Sequence, residues 1–174
     1  MAYGVIRSDN VKATKDGNIR SAKFYDANDG QAAIENGMLV EVSNLLDASA
    51  NREIFKATVP SSTTAKNIGV VATPEIIYDE QLKSAGALEN FINAAGQPIT
   101  VLMLAPQDIL SVSDECIDGT PEVGKYVLLQ AGNKWKIADA PTSATPESVQ
   151  GIIVAREMYR ANKYLNVIQI VVAN

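Results

Sequence analysis

The sequence predicts a mainly β protein made of two small related antiparallel β units, barrel-like or sandwich-like, with one or two short helices. Three observations predict this fold class. Apolar and polar residues alternate along most of the chain, glycine, asparagine and proline cluster between the alternating segments, and one order of segments occurs twice. Period-two alternation is the pattern of half-buried strands, whereas an amphipathic helix repeats every 3.6 residues.

Four segments are the clearest strands, because they are short, rich in bulky or β-branched residues, and bounded by turn formers. They are "GMLVEV" (37–42), "ITVLML" (99–104), "KYVLL" (125–129) and "NVIQIVV" (166–172). Dipeptides such as Asp118-Gly119 and Gly132-Asn133 accept the positive φ that tight hairpin turns need. We therefore expect hairpin turns between neighbouring strands.

Two segments favour helix. The first is "NLLDASA" (44–50), and the second is "SAGALENFINAAG" (84–96). In the second, Leu88, Phe91 and Ile92 follow the i, i+3, i+4 spacing of one apolar helix face. Both are expected to be short helices on a β body.

The same order of segments occurs twice. The first copy contains "IENGMLVEV" (34–42), "EIFKATV" (53–59), "PSSTTAK" (60–66) and "NIGVVATPE" (67–75). The second copy contains "PEVGKYVLL" (121–129), "KWKIADA" (134–140), "PTSATPESV" (141–149) and "QGIIVARE" (150–157). Each copy has a turn glycine that opens a strand, a hairpin partner, a loop rich in proline, serine and threonine, and a closing strand that begins near a glycine. A repeated order of this kind indicates one supersecondary unit used twice.

The repeat sets the expected division of the chain. Residues 1–30 form a basic N-terminal segment or arm, and residues 31–78 form the first β unit. Residues 79–98 are a connection with a short helix, and residues 99–174 form the second β unit.

Composition excludes most catalytic chemistries. The chain has no histidine, and its one cysteine, Cys116, lies in the acidic segment "SDECIDG". Histidine-dependent dyads and most zinc sites are therefore absent, and neighbouring carboxylates raise the pKa of a thiol. The glycines form no phosphate-binding loop. We expect no enzymatic activity, no cofactor and no metal site.

The chain is also expected to stay out of membranes. Its longest apolar run, "VLMLA" (101–105), is much shorter than the about 20 residues that a membrane-spanning helix needs. The N-terminus shows no secretory signal, which predicts a protein made in a cytoplasm.

Charge is unevenly distributed over a chain whose net charge is −5. Residues 1–23 contain two acidic residues and five cations: Arg7, Lys12, Lys15, Arg20 and Lys23. Two interpretations are open, a solvated strand surface or an arm that docks on an acidic partner. The acidic remainder argues against binding to nucleic acid, which requires clustered cations.

Two segments carry a resemblance to a known family. The frame I-x-x-G-x-L-V at 34–40, followed by "IGVVA" at 68–72, resembles the core of β-rich head decoration or cement proteins of tailed bacteriophages. The run from 91 to 129 is similar in style to virion structural proteins of phages. Proteins of this family are small and bind the outside of a capsid.

The resemblance implies a non-enzymatic virion structural protein that binds the major capsid protein. It also implies a homo-oligomer, for which a trimer is favoured, on the capsid surface after synthesis in the host cytoplasm. The five cations of residues 1–23 are then the expected partner-binding residues. The alternative is a binding module for carbohydrate or a host surface on the same β scaffold.

Overall fold

The structure, a computed structural model, describes residues 3–47, 51–75, 90–141 and 146–173 of the chain. Regular structure in these ranges is almost all β, with one short α-helix, α1 (Lys12–Asp16), and a 3₁₀ turn (Asp114–Cys116). The strands are β1 (Ile6–Asn10), β2 (Ile19–Tyr25), β3 (Leu39–Asp47), β4 (Asn51–Thr58), β5 (Ile68–Val71), β6 (Ile99–Met103), β7 (Ile109–Ser113), β8 (Ile117–Asp118), β9 (Tyr126–Leu128), β10 (Trp135–Ala138), β11 (Val149–Arg160) and β12 (Lys163–Ala173). The predicted fold class is confirmed. In the part of the chain that is described, no helix has the length and apolarity to cross a membrane.

Five strands form the first barrel, a closed sheet of order β2-β4-β3-β5-β6. The ring closes because β2 pairs with β6 on one side and with β4 on the other. The β2–β4 pairing is parallel, and the other four pairings are antiparallel. The interior is one cluster of buried side chains that includes Ala22, Val40 and Val101.

The second sheet has seven strands in the order β1-β7-β12-β11-β9-β10-β8. Strands β7 and β8 lie far apart in this order but are consecutive in the chain, where the 3₁₀ turn joins them. We call β7 to β12 the second unit. Strand β1 adds to it as an antiparallel neighbour of β7.

The two units have the same pairing scheme when β7 and β8 are taken as one interrupted strand. In the first barrel, β2 pairs parallel with β4 and antiparallel with β6. In the second unit, β8 pairs parallel with β10, and β7 pairs antiparallel with β12. Strand β3 lies between β4 and β5, as β9 lies between β10 and β11. In both units the next strand of the chain is an antiparallel partner: β6 pairs with β5, and β12 pairs with β11. The predicted duplication therefore extends over all five strand positions.

Glycines at equivalent places confirm the register. Gly37 has φ 81° and Gly124 has φ 90°, a region of backbone space that glycine adopts readily and other residues rarely. Each glycine precedes a central-strand valine by three residues, Val40 in the first barrel and Val127 in the second unit. The turn glycine that opens each copy thus has the same conformational role in both.

The closing-strand glycines are equivalent as well. Gly69 pairs with Val40, and Gly151 pairs with Val127. A Cβ on Gly69 would lie 2.4 Å from Val101 Cγ1, and a Cβ on Gly151 would lie 2.6 Å from Ile168 Cγ2. Both closing strands therefore need glycine, because a side chain of the next strand lies against the main chain there.

The two units share a hydrophobic core. Val40 faces the barrel interior, so its neighbour Leu39 faces outwards, and yet Leu39 is fully buried. Leu39 and Val70 belong to the same buried cluster as Leu110 and Trp135 of the second unit. The outer face of the first barrel is thus the surface on which the second unit packs.

Hydrogen bonds join the two units at this junction. The Leu39 amide donates to the Asn133 carbonyl over 2.7 Å, and Asn133 Nδ2 donates to the Leu39 carbonyl over 2.8 Å. Trp135 Nε1 donates to the Gly37 carbonyl over 3.1 Å. The buried indole therefore has a partner for its polar atom.

The predicted helix at 44–50 is wrong. Residues 44–47 continue β3, where Leu45 pairs with Phe55 and Asp47 pairs with Asn51. Pairing with β4 overrides the weak helical preference of this short segment. Residues 48–50 lie outside the described ranges.

The predicted helix at 84–96 lies outside the described residues over 84–89. Its described part, 90–96, contains a bridge between Asn93 and Ile34 in place of an α-helix. The α-helix that the described ranges do contain, α1, lies instead in the basic N-terminal segment, where no helix was expected.

Strands cross the expected boundaries of the division. The first barrel takes β2 from the expected N-terminal segment (1–30) and β6 from the expected second unit (99–174). Strand β1 belongs to the second sheet, and α1 connects it to β2. Residues 6–25 thus supply one strand to each sheet and do not form a free arm.

Candidate functional site

One end of the first barrel is open, and we call it the open mouth. Ala22 and Phe24 of β2 are buried in the barrel interior. Because side chains alternate along a strand, Arg20 faces the same interior, at the end of the strand. Val42 and Asn67 lie at the same level, where the Val42 amide donates to the Asn67 carbonyl over 3.0 Å.

The open mouth holds a cavity of about 380 Å³. It is lined by Asn18, Arg20, Val42, Ser43, Phe55, Asn67 and Met103. The guanidinium carbon of Arg20 lies 5.3 Å from the centroid of the Phe55 ring, so the cation rests on an aromatic face. No described residue forms an ion pair with Arg20.

Polar side chains surround Arg20 at the open mouth. Asn18, Ser43 and Asn67 are exposed. Ser43 Oγ donates to the Lys56 carbonyl over 3.1 Å, which leaves the oxygen free to accept. The mouth therefore offers a cation, two amides and a hydroxyl to a ligand.

The corresponding layer of the second unit is apolar. Strand register identifies this layer. Arg20 pairs with Val101 in the first barrel, and Leu110 pairs with Ile168, the equivalent of Val101 in the second unit. Leu110 is therefore the equivalent of Arg20. The layer consists of Leu110, Leu129, Val149 and Ile170, each at most 1 % exposed. We call it the closed end.

A matching hydrogen bond supports this equivalence. The Leu129 amide donates to the Val149 carbonyl over 3.0 Å, as the Val42 amide does to the Asn67 carbonyl. The residue pairs occupy the same places in the two units, but Asn67 is exposed and Val149 is fully buried.

A segment outside the repeat covers the closed end. The carboxylate of Asp108, at the start of β7, accepts from the Lys12 amide and, over 2.8 Å, from the Ala105 amide. Val11 and Ala13 beside Lys12 are buried in the core cluster that contains the closed-end residues. The start of α1 therefore lies over this end of the second unit, and Asp108 is 2 % exposed.

Arg7, the first of the predicted partner-binding cations, is paired within the chain. Its Nε lies 2.7 Å from Asp9 Oδ1, and its Nη2 lies 2.7 Å from Glu157 Oε2. The hydrogen bonds to Asp9 and then to Glu157 raise the pKa of Arg7. Its charge is thus compensated on the second sheet.

The other predicted cations lie in two different elements. Lys12 and Lys15 lie in α1, and Arg20 and Lys23 lie in β2. Lys23 alternates with the buried residues of β2 and faces the outside of the barrel, opposite Lys56 of β4. Of the four cations whose side chains are described, Arg7, Lys12, Arg20 and Lys23, the structure places Arg20 alone in the open mouth.

Cys116 is placed as a structural residue. The thiol is fully buried, and Sγ donates to the Asn36 carbonyl over 3.5 Å. Burial raises the pKa of Cys116 to about 12, so the thiolate does not form at neutral pH. The described residues include no group of histidine, cysteine, aspartate and glutamate that could hold a metal ion.

A polar cluster that the sequence did not predict lies in the second unit, away from the closed end. Arg156 Nη2 lies 2.8 Å from Asp114 Oδ2, and Asn166 Nδ2 donates to Asp114 Oδ1 over 2.7 Å. Arg156 also lies over the ring of Tyr164, at 4.7 Å. Strand register alone brings these residues together, and no motif in the sequence marks them.

Apart from Arg20, the residues that line the open mouth are not predicted from the sequence either. The available signal was the spacing of Arg20, Ala22 and Phe24, which places a cation on the apolar face of a strand. Phe55 and Asn67 join Arg20 only when the barrel closes.

No protein-family model, curated protein or solved structure matches the chain.

Proposed function

We propose that this protein is a non-enzymatic virion structural protein of a tailed bacteriophage, which binds the outer surface of the capsid and stabilises or decorates it. The resemblance of residues 34–40 and 68–72 to head decoration proteins supports this class. These two segments meet in the β3–β5 pairing of the first barrel. The two units share one hydrophobic core, which is consistent with a permanent place on a shell.

The observation that carries the proposal is the long hairpin of β11 and β12. Strand β11 pairs with β9 only over Gln150–Ile152, and beyond Ile153 the described strands pair it with β12 alone. Met158 is 63 % exposed and Val154 is 43 % exposed on this part of the hairpin. A strand edge without a neighbouring strand can pair with an added strand of a partner protein, and exposed apolar side chains beside it enlarge the contact.

The charges of the same hairpin are partly compensated within the chain. Residues 154–163 contain three cations, Arg156, Arg160 and Lys163, and one acid, Glu157. Arg156 is paired with Asp114, and Glu157 is paired with Arg7. Apolar contact would therefore hold the complex with the major capsid protein, and charges at its rim would mainly affect the rate of association. The hairpin thereby replaces residues 1–23 as the main proposed contact.

We also propose that the protein acts as a homo-oligomer, with a trimer favoured. Exposed ion pairs contribute only about 0 to 1 kcal/mol each. Several subunits around a capsid symmetry axis would bind through avidity, which strengthens attachment without new contacts per subunit.

Binding to capsids of the encoding phage, stripped of accessory proteins, tests the proposal. Met158→Asp places a charge in the proposed contact and is expected to weaken binding at least about tenfold. Val123→Asp is the matched control, because Val123 is 61 % exposed but lies in the turn before β9. Equal binding of both variants would refute the hairpin contact, and no binding of the unaltered protein would refute the proposed function.

The alternative function, a binding module for carbohydrate or a host surface, is favoured by one observation, the open mouth. A decoration protein can carry such a site on its outward side, so the two functions are compatible.

A further inference from the structure

We infer that the open mouth binds a sugar acid, a polar ligand that carries a carboxylate and several hydroxyl groups. This site is separate from the β11–β12 hairpin and goes beyond the proposed attachment to a capsid. The inference rests on the residues of the first barrel alone.

Arg20 selects the carboxylate. A guanidinium presents its donors in a planar fork that matches the two oxygens of a carboxylate. Phe55 supports the guanidinium from one face, and no described carboxylate occupies it. Arg20 is exposed and lies against Phe55, and no described residue uses its hydrogen-bonding capacity.

The amides and the hydroxyl select the rest of the ligand. The side-chain amides of Asn18 and Asn67 form no hydrogen bond to other described residues. Each amide both donates and accepts, as does Ser43 Oγ, and sugar hydroxyls do the same. A lone protein carboxylate would engage Arg20 and leave these three groups to water, whereas a sugar acid would use all of them.

The cavity has the size of a small-ligand site. Its volume of about 380 Å³ falls in the range of roughly 300–1,000 Å³ that is usual for such sites. Its lining is more polar than most, which favours a polar ligand over an apolar one.

The second unit shows that the fold does not need this polarity. Leu110 takes the place of Arg20, and Val149 takes the place of Asn67, in a layer that is fully buried. The first barrel therefore carries polar residues and an open mouth where the same architecture can be closed and apolar. A ligand site gives these residues a role that packing does not.

Isothermal titration of the full-length protein with D-glucuronate tests the inference, with D-glucose and N-acetyl-aspartate amide as comparison ligands. We expect glucuronate to bind with a Kd around 1 mM. Glucose lacks the carboxylate, and the aspartate derivative lacks the hydroxyls, so each should bind at least about tenfold more weakly. Equal affinity for the aspartate derivative would mean that the site takes a protein carboxylate, which would overturn the inference.

Two variants that remove one positive charge each give the matched control. Arg20→Gln removes the charge inside the mouth and is expected to weaken glucuronate binding at least about tenfold. Lys23→Gln removes a charge from the outer side of the same strand and should leave binding unchanged. Equal losses would show that only net charge matters and would contradict the site. Capsid binding should be unaffected by Arg20→Gln, which separates this test from that of the proposed function.

Discussion

The first barrel and the second unit have equivalent residue positions at one end of the interior. This end is open in the first barrel and buried in the second unit. Arg20 and Asn67 occupy the open mouth, whereas Leu110 and Val149 occupy the same positions in the closed end. The pairing scheme is common to both, so the strands do not cause the difference. It comes from the residues of one interior layer and from α1, which lies over the closed end.

The junction shows a second difference between the units. Strand β2 is continuous, but its equivalent is interrupted by the 3₁₀ turn that contains Cys116. The interruption places the thiol against the Asn36 carbonyl of the first barrel. One copy of the unit thus departs from the shared pattern at the place where the two copies meet.

Exchange of the equivalent residues Leu110 and Arg20 should have the largest effect on the free energy of unfolding. Leu110→Arg buries a charge with no partner in the closed end and is expected to lower the free energy of unfolding by about 4 kcal/mol or more. Arg20→Leu changes a partly solvated position, and its effect should stay within about 1 kcal/mol. Chemical denaturation measures both values, and similar losses would contradict the difference between the two ends.

Substitution of the closing-strand glycines should have an intermediate and similar effect in both units. Gly69→Ala and Gly151→Ala force the new Cβ against Val101 and Ile168, at an expected cost of about 1–3 kcal/mol each. Adding Val101→Ala to the first variant and Ile168→Ala to the second removes the overlap with the side chain, so each pair should show favourable coupling in a double-mutant cycle. The Leu102 carbonyl oxygen, 2.9 Å from the new Cβ at residue 69, stays in place and leaves part of the cost of Gly69→Ala. A large loss in one unit and none in the other would argue against a shared register.

The buried thiol should give a smaller effect that depends on pH. Burial raises the pKa of Cys116 from 9.0 to about 12, so the unfolded chain loses this proton at a lower pH than the folded chain. The contribution of the buried, protonated thiol to the free energy of unfolding is fully present below pH 9, and it falls as pH rises towards 12. Cys116→Ser should reduce the fall in unfolding free energy between pH 8 and pH 10 by about 1 kcal/mol. An unchanged pH dependence would show that the thiol is not buried at the junction.

Arg7→Gln should have the smallest effect. The ion pairs of Arg7 with Asp9 and Glu157 are exposed, and such pairs contribute about 0 to 1 kcal/mol. The difference from the unaltered protein should shrink further in high salt. A loss above about 2 kcal/mol that persists in salt would give Arg7 a role in the core.

The sequence predicted the repeated unit because its turn glycines are local signals. Gly37 and Gly124 need a positive φ, and the strands that follow them carry period-two patterns. The sequence does not predict the first strand of each unit, because β2 and β7 share little beyond alternation. In addition, the 3₁₀ turn interrupts this strand in the second unit. The helix at 44–50 was wrong because strand pairing, which is not local, decides the conformation of short segments.

Arg20 shows the limit of the sequence for the candidate site. The sequence marks it only as one of five cations in a basic segment, whereas the structure places it on the interior-facing side of β2 at the exposed, open end of the first barrel. Phe55 and Asn67 belong to strands and loops that reach Arg20 only through the closed ring of pairings. Sites of this kind depend on the register in which strands pair, and residue composition does not show this register.

Thiol labelling of equivalent positions tests the difference between the two ends most directly. Asn67→Cys introduces a thiol at the open mouth, and Val149→Cys introduces one at the closed end, while Cys116 is buried in both variants. We predict that Asn67→Cys reacts with a maleimide in the folded protein on the order of 10³-fold faster than Val149→Cys, which reacts only through rare unfolding. Equal labelling rates in the folded protein would show that the two ends do not differ in exposure.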